Sequence, residues 1–166
     1  GRRAAAIGTI GVWTPGGGLE GALPPPEAVD LHARLAALRD EGYEVVVMEV
    51  SSHALDQRRV DGVWFRAAAW THLTRDHLDY HGDMDSYAAA KRRLFETLLP
   101  ASGGVGLVNA DDGWCRPLVE AGLAEGWTFQ RGETQAQHRV SETCSRRAGV
   151  GWTMRSPGRA KLLVHA

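Results

Sequence analysis

Glu49 ends an apolar run, Val45-Val46-Val47-Met48, and is soon followed by Ser51-Ser52-His53. A carboxylate at the tip of such a run is solvated, capped by a surface partner, or holding something positive. Further along, Thr71 to His81 packs three His and two Asp into eleven residues: Thr-His-Leu-Thr-Arg-Asp-His-Leu-Asp-Tyr-His. Oxygen and imidazole donors of this kind suit Mg²⁺ or a transition metal, the alternative being a solvated polar loop. Lys91 is the third candidate. It lies four residues after Tyr87 and three before Leu94, on the face that also carries Met84, Phe95 and Leu98. A lysine there either snorkels outward or is held for a purpose. Burial favours the neutral amine, and a neutral amine can take up carbon dioxide as a carbamate, which turns a cation into an anionic metal ligand.

Other chemistry is excluded by spacing. Gly16-Gly17-Gly18 has no Gly-Lys-Ser/Thr after it and is not a P-loop. Ser51-Ser52-His53 are neighbours rather than a triad, and no GxSxG elbow is present. Cys115 and Cys144 lie far apart without a CxxC pair, which points to two free thiols in a cytosolic protein. The six Trp read as packing residues rather than as a base-stacking surface.

These side chains need a scaffold. Ala4 to Ile10 reads as a short buried strand, and Pro15 to Pro26 as a Gly/Pro loop. Glu27 to Asp40 has helical spacing, with Ala28, Leu31, Leu35 and Leu38 on one face and Gly42 as its stop. Tyr43 to Val50 predicts a strand covered on both faces. Ala67 to Trp70 and Val105 to Val108 predict further strands, with helices over 83–99 and 111–124. After Trp127 short alternating segments predict antiparallel edge strands. The fold class is α/β: a mainly parallel sheet flanked by helices, with antiparallel strands toward the C-terminus. Ligands gather at the carboxyl ends of strands in such sheets, and Glu49, Thr71–His81 and Asn109-Ala110-Asp111-Asp112 each follow a strand, which predicts one polar rim.

Composition sets the outer bounds. The chain has 166 residues, 43% hydrophobic and 23% charged, with a formal net charge of −1, which fits one soluble domain. No basic stripe suggests nucleic acid, and no apolar run approaches the roughly 20 residues of a membrane span. The basic N-terminus is interrupted by Gly8 and Gly11 and does not read as a signal peptide. No Met opens the chain, which suggests a fragment.

Met48 to Val60 (Met-Glu-Val-Ser-Ser-His-Ala-Leu-Asp-Gln-Arg-Arg-Val) and Leu73 to Gly82 (Leu-Thr-Arg-Asp-His-Leu-Asp-Tyr-His-Gly) resemble the signatures of the Mur ligases. Ala89-Ala90-Lys91 and Val108 to Asp112 follow in that family's order. The wording is nearest to the tripeptide-synthetase branch, strongly over 43–112 and loosely after 127. The resemblance implies a cytoplasmic ATP-dependent amide ligase. It would join a diamino acid, meso-diaminopimelate or L-lysine, to UDP-MurNAc-L-Ala-D-Glu through an acyl phosphate. It also implies that Glu49 and His77 hold Mg²⁺ and that Lys91 is carbamylated in support of a second metal position. Ser51, Gln57 and Arg59 would contact the UDP-muramoyl dipeptide, and Asn109 would lie near the nucleotide. The partners implied are small molecules, with no nucleic acid, no membrane and a monomeric state.

Three departures accompany the resemblance. The family's phosphate loop would precede Gly1. Pro24-Pro25 stand where the family has Thr-Thr, which removes hydroxyls and an N–H donor. His72 stands where it has Asn. Residues 1–166 thus read as a central domain truncated at both ends, expected to be inactive by itself. A folylpolyglutamate- or cyanophycin-synthetase-like ligase and a non-catalytic binding domain are the alternatives.

Overall fold

The structure is a computed structural model. It describes residues 2–8, 11–16, 28–128, 138–146, 149–156 and 159–165, with side chains described up to residue 124. The Pro24-Pro25 pair and most of the expected 15–26 loop lie outside the described residues, as does the Cys144 side chain.

The chain divides into two compact units, residues 1–63 with 89–93, and residues 64–88 with 94–166. In the first, strand β1 (Ala4–Gly8) turns into β2 (Gly11–Trp13), and helix α1 (Ala28–Asp40) leads to β3 (Val45–Met48). The sheet order is β2-β1-β3, antiparallel across the hairpin and parallel between β1 and β3. Ala4 pairs with Val45 and Ile7 with Met48.

The turn out of α1 sets that register. Gly42 adopts φ +85°, and its N–H reaches Arg39 O while Tyr43 N–H reaches Leu38 O. This is a Schellman closure, which satisfies carbonyls the helix end leaves open. Arg3 then fastens the junction. Its carbonyl accepts from Glu44 and Val45 N–H, its Nη1 donates to Glu41 O at 2.7 Å, and its guanidinium sits 4.6 Å over the Tyr43 ring. Leu31 and Leu38 of α1 are buried with Ala5 and Ile7 of β1 in the core of this unit. The strand at 45–48 departs from expectation. β3 is a sheet edge, its other valines are half-buried, and Val47 is 58% exposed. Valine type favours a pleated strand but does not decide what covers it.

A short helix, α2 (Ser52–Asp56), follows. In the second unit come β4 (Ala67–Trp70), α3 (Leu78–His81) and α4 (Met84–Arg93), whose residues 89–93 belong to the first unit. Asp83 starts α4, its Oδ1 accepting Ser86 N–H at 2.7 Å; this bond holds the Asp83 carboxyl below its usual range. The expected helix over 83–99 is present but irregular. A π-helical turn occupies Leu94–Leu98, and α5 (Leu99–Ala101) restarts with Pro100 in its first turn, where the missing N–H is tolerated. Ser102 joins this end to the start of β4, accepting from Phe65 N–H and donating to Leu98 O.

β5 (Val105–Asn109), α6 (Arg116–Glu120) and β6 (Glu125–Thr128) follow, then β7 (His138–Arg146), β8 (Gly149–Ser156) and β9 (Arg159–His165). These strands form one sheet in the order β4-β5-β6-β7-β8-β9, parallel from β4 to β7 and antiparallel from β7 to β9. The expected antiparallel end is present, but it begins at β7; β6 runs parallel to its neighbours. The helix expected over 111–124 shrinks to five residues, because Asn109 and Asp112 spend their side chains on turns before it. Phe95, Leu99, Val108, Cys115 and Leu118 form the heart of this unit, and Cys115 is a buried thiol in no disulfide, as expected. Phe95 stacks on Trp70 at 6.1 Å between centroids.

Candidate functional site

Five of the expected site residues lie in the first unit: Glu49, Ser51, Gln57, Arg59 and Lys91. His77 and Asn109 lie in the second.

Glu49 continues the ladder beyond β3, its N–H donating to Ile7 O at 2.9 Å. Its exposed carboxylate makes no hydrogen bond or ion pair among the described residues. Gly8 stands opposite, where a Cβ would meet the Trp13 ring at 2.9 Å and Glu49 Oε2 at 3.8 Å.

Ser51 is extended (φ −72°, ψ 155°), and its Oγ accepts Ala54 N–H at 3.2 Å as the N-cap of α2. Its hydroxyl thus has a structural duty in addition to any contact with a substrate. Gln57 closes the helix, its N–H reaching His53 O. The next residue, Arg58, takes φ +57°. Arg59 returns to Ala54 O through its N–H and is half-buried.

Lys91 is half-buried on α4, between buried Tyr87 and Leu94 in sequence. Two residues on, Arg93 reaches the α2 segment. Its Nη2 donates to Asp61 Oδ2 at 2.8 Å, and its Nη1 lies 2.8 Å from Oδ1 while donating to Leu55 O at 3.1 Å. That hydrogen bond is the main reason the Asp61 carboxyl sits below the usual range; burial opposes it, and the charges of Arg93 and Arg58 assist.

In the second unit His77 takes φ +55° at the start of α3, with its N–H on Asp76 Oδ1 at 2.8 Å. Its Nε2 lies 3.6 Å from Asp76 Oδ2. Tyr87 is the wall of this corner. The His77 ring meets it edge-on at 5.8 Å and the His81 ring stacks on it at 5.2 Å. Burial, then the Asp76 charge, push the Tyr87 hydroxyl pKa up. Arg58 and His77 are the non-glycine residues with positive φ among those described, each at a cost of about 1–2 kcal/mol. Both fall inside the two signature segments, and strain of this kind concentrates at functional sites.

Asn109 closes β5, its Oδ1 accepting Asp111 N–H at 3.0 Å. Thr71 follows β4 and Asn109 ends β5, parallel neighbours, so these two of the expected rim residues lie at the same end of one sheet. Glu49 follows a strand of the other sheet. Among the described residues no three His, Cys, Asp or Glu side chains converge on a metal position.

The chain matches the Mur ligase middle domain over residues 2–156. It belongs to the Mur ligase family. The UDP-N-acetylmuramoyl-L-alanyl-D-glutamate--2,6-diaminopimelate ligase of Mesorhizobium japonicum is 48% identical over 126 residues, covering 76% of this chain and 26% of that protein. The enzyme of the same name from Xanthomonas campestris is 51% identical over 115 residues, covering 69% of this chain and 23% of that protein. A solved structure of a ligase with this name superposes with a TM-score of 0.70 at 27% identity, covering 98% of this chain and 33% of that one. This Mur ligase domain spans about a quarter of the length of the curated relatives it matches.

Sequence reasoning overlooked Arg93, Asp61 and His32, which shape the segments that carry the candidates. Arg93 had a signal, its place two residues beyond Lys91. Asp61 and His32 had none, since their partners are distant in sequence.

Proposed function

We propose that this chain is the central domain of an ATP-dependent amide ligase that extends UDP-MurNAc-L-Ala-D-Glu by 2,6-diaminopimelate, with flanking domains supplied outside the segment. The match over residues 2–156 carries this reading, because it spans every candidate site residue. The diamino acid is the one in the names of the relatives from Mesorhizobium japonicum and Xanthomonas campestris. The working form is a monomer in the cytoplasm, acting on small molecules.

The reaction is phosphoryl transfer from ATP to the D-Glu side-chain carboxylate, then attack of the diamino acid's amine on the acyl phosphate. Both steps depend on position and on neutralising charge. Arg59 and Gln57 suit the anionic and amide groups of the dipeptide. Asn109 lies at the end of β5, where a nucleotide would be met in a parallel sheet.

The donor chemistry of the residues fits Mg²⁺. Glu49 is a carboxylate without a protein partner among those described, and Lys91 would add hard oxygens as a carbamate. Lys91, half-buried on α4, would as a carbamate supply oxygens to Mg²⁺, which would neutralise phosphate charge there.

The test is phosphate release from this segment in its full-length context, with ATP, Mg²⁺, UDP-MurNAc-L-Ala-D-Glu and either diaminopimelate or L-lysine. Release should require both substrates, favour diaminopimelate and collapse in Lys91→Ala. A folded protein that releases no phosphate with either amino acid refutes the reading.

A further inference from the structure

From the last turn of α2, the chain passes through left-handed Arg58 and returns at Asp61. Arg93 holds both ends of this turn. At the start, Leu55 O accepts from Arg93 Nη1 at 3.1 Å and from Arg58 N–H at 3.2 Å. At the finish, the Asp61 carboxylate takes the other arm of the guanidinium at 2.8 Å. The Asp61 backbone is fixed separately, its N–H on Arg58 O and its carbonyl 2.9 Å from His32 Nε2. A planar two-armed cation is suited to joining a carbonyl and a carboxylate at fixed separation; lysine is not. Left-handed backbone on a residue with a Cβ persists only where its surroundings enforce it; here the Schellman closure of α2 does so, with Arg58 N–H on Leu55 O and Arg59 N–H on Ala54 O, and Arg93 adds to it by sharing the Leu55 carbonyl.

We propose that Arg93, with Asp61 as its counter-ion, is a positioning residue that holds the Gln57–Arg59 turn in its left-handed form and so presents Gln57 and Arg59 to the UDP-muramoyl dipeptide. The substrate half rests on the proposed ligase function; the loop-holding half does not. Because Lys91 and Arg93 share the last turn of α4, the same clamp links the lysine's helix to the substrate loop.

The test uses the full-length protein and compares Arg93→Ala, Arg93→Lys and Asp61→Asn with the parent. Arg93→Ala and Arg93→Lys should raise KM for UDP-MurNAc-L-Ala-D-Glu by roughly tenfold or more, the range for losing a charged hydrogen bond. KM for ATP should stay within about twofold, which a general loss of fold would not leave alone. In parallel, trypsin should cut after Arg58 or Arg59 faster in all three variants, by about tenfold. Equal rises in both KM values, or unchanged KM with parental cleavage, overturn the proposal. If the parent releases no phosphate, the ligase reading fails, and the cleavage rate alone decides the clamp. Should Arg93→Ala not fold, Arg93→Lys and Asp61→Asn provide the same comparison.

Discussion

Asp112 Oδ2 accepts the backbone N–H of Leu73 at 2.7 Å, across 39 positions of sequence. Its Oδ1 accepts from Trp114 N–H at 2.8 Å. One carboxylate thus ties the polar loop after β4 to the turn after β5, strands paired in parallel with Trp70 opposite Val108. Asp112→Ala should lower stability by about 1–3 kcal/mol, since two donors lose their acceptor. For a chain of this size that is a fall in Tm of about 2–12 °C by calorimetry. An unchanged Tm would show that water replaces the carboxylate without cost.

Gly104 is required by close approach. A Cβ there would run into the Phe65 carbonyl oxygen and the Leu99 side chain, and the carbonyl is backbone that cannot rotate away. Gly104→Ala should destabilise by about 1–3 kcal/mol. Gly113, whose Cβ would meet nothing within 4 Å, is the control; Gly113→Ala should be nearly neutral. Denaturant midpoints of the two variants would contradict this packing if they coincided.

Asp61 makes part of the stability depend on pH. Its carboxyl is held below the ordinary 3.8 by the Arg93 hydrogen bond. A depressed folded value means that the unfolded chain takes up the proton first as pH falls. The stabilisation is therefore complete above about pH 5 and disappears as pH drops through the folded value. Asp61→Asn should be less stable than the parent at neutral pH, and the gap should narrow below about pH 4. Unfolding curves that stay parallel down to acid pH would speak against it.

Lys91 should show its carbamate chemically. Activity of the full-length protein should fall when carbon dioxide is stripped from the buffer and return with bicarbonate. Lys91→Arg should be inactive under both conditions, because a guanidinium keeps its charge and forms no carbamate. Full activity in carbon-dioxide-free buffer would leave Lys91 as an ordinary amine.

The family membership was legible in short segments. Glu49 to His53, Asp76 to His81, Lys91 and Asn109 to Asp112 carry residue types whose order alone marks a Mur ligase, and the match over 2–156 bears that out. The α/β class was legible as well, because periodicity reports which residues seek a common face. The helix at 28–40 and the strands at 4–8, 67–70 and 105–109 follow from local pattern.

What sequence could not supply is whatever depends on partners far along the chain. Val45–Met48 was expected to be covered on both faces, yet Val47 is 58% exposed, since side-chain type does not name what packs against it. The helix expected over 111–124 lost its first turn to Asn109 and Asp112, whose side chains bond to nearby backbone instead. Arg93 became a clamp only because Asp61, 32 positions earlier, folds back to meet it. Sequence by itself determined which groups this protein brings to its chemistry, since donor type and order are written in it. Tertiary structure alone decided which backbone those groups are pinned to, since hydrogen bonds between distant segments exist only after the chain has closed on itself.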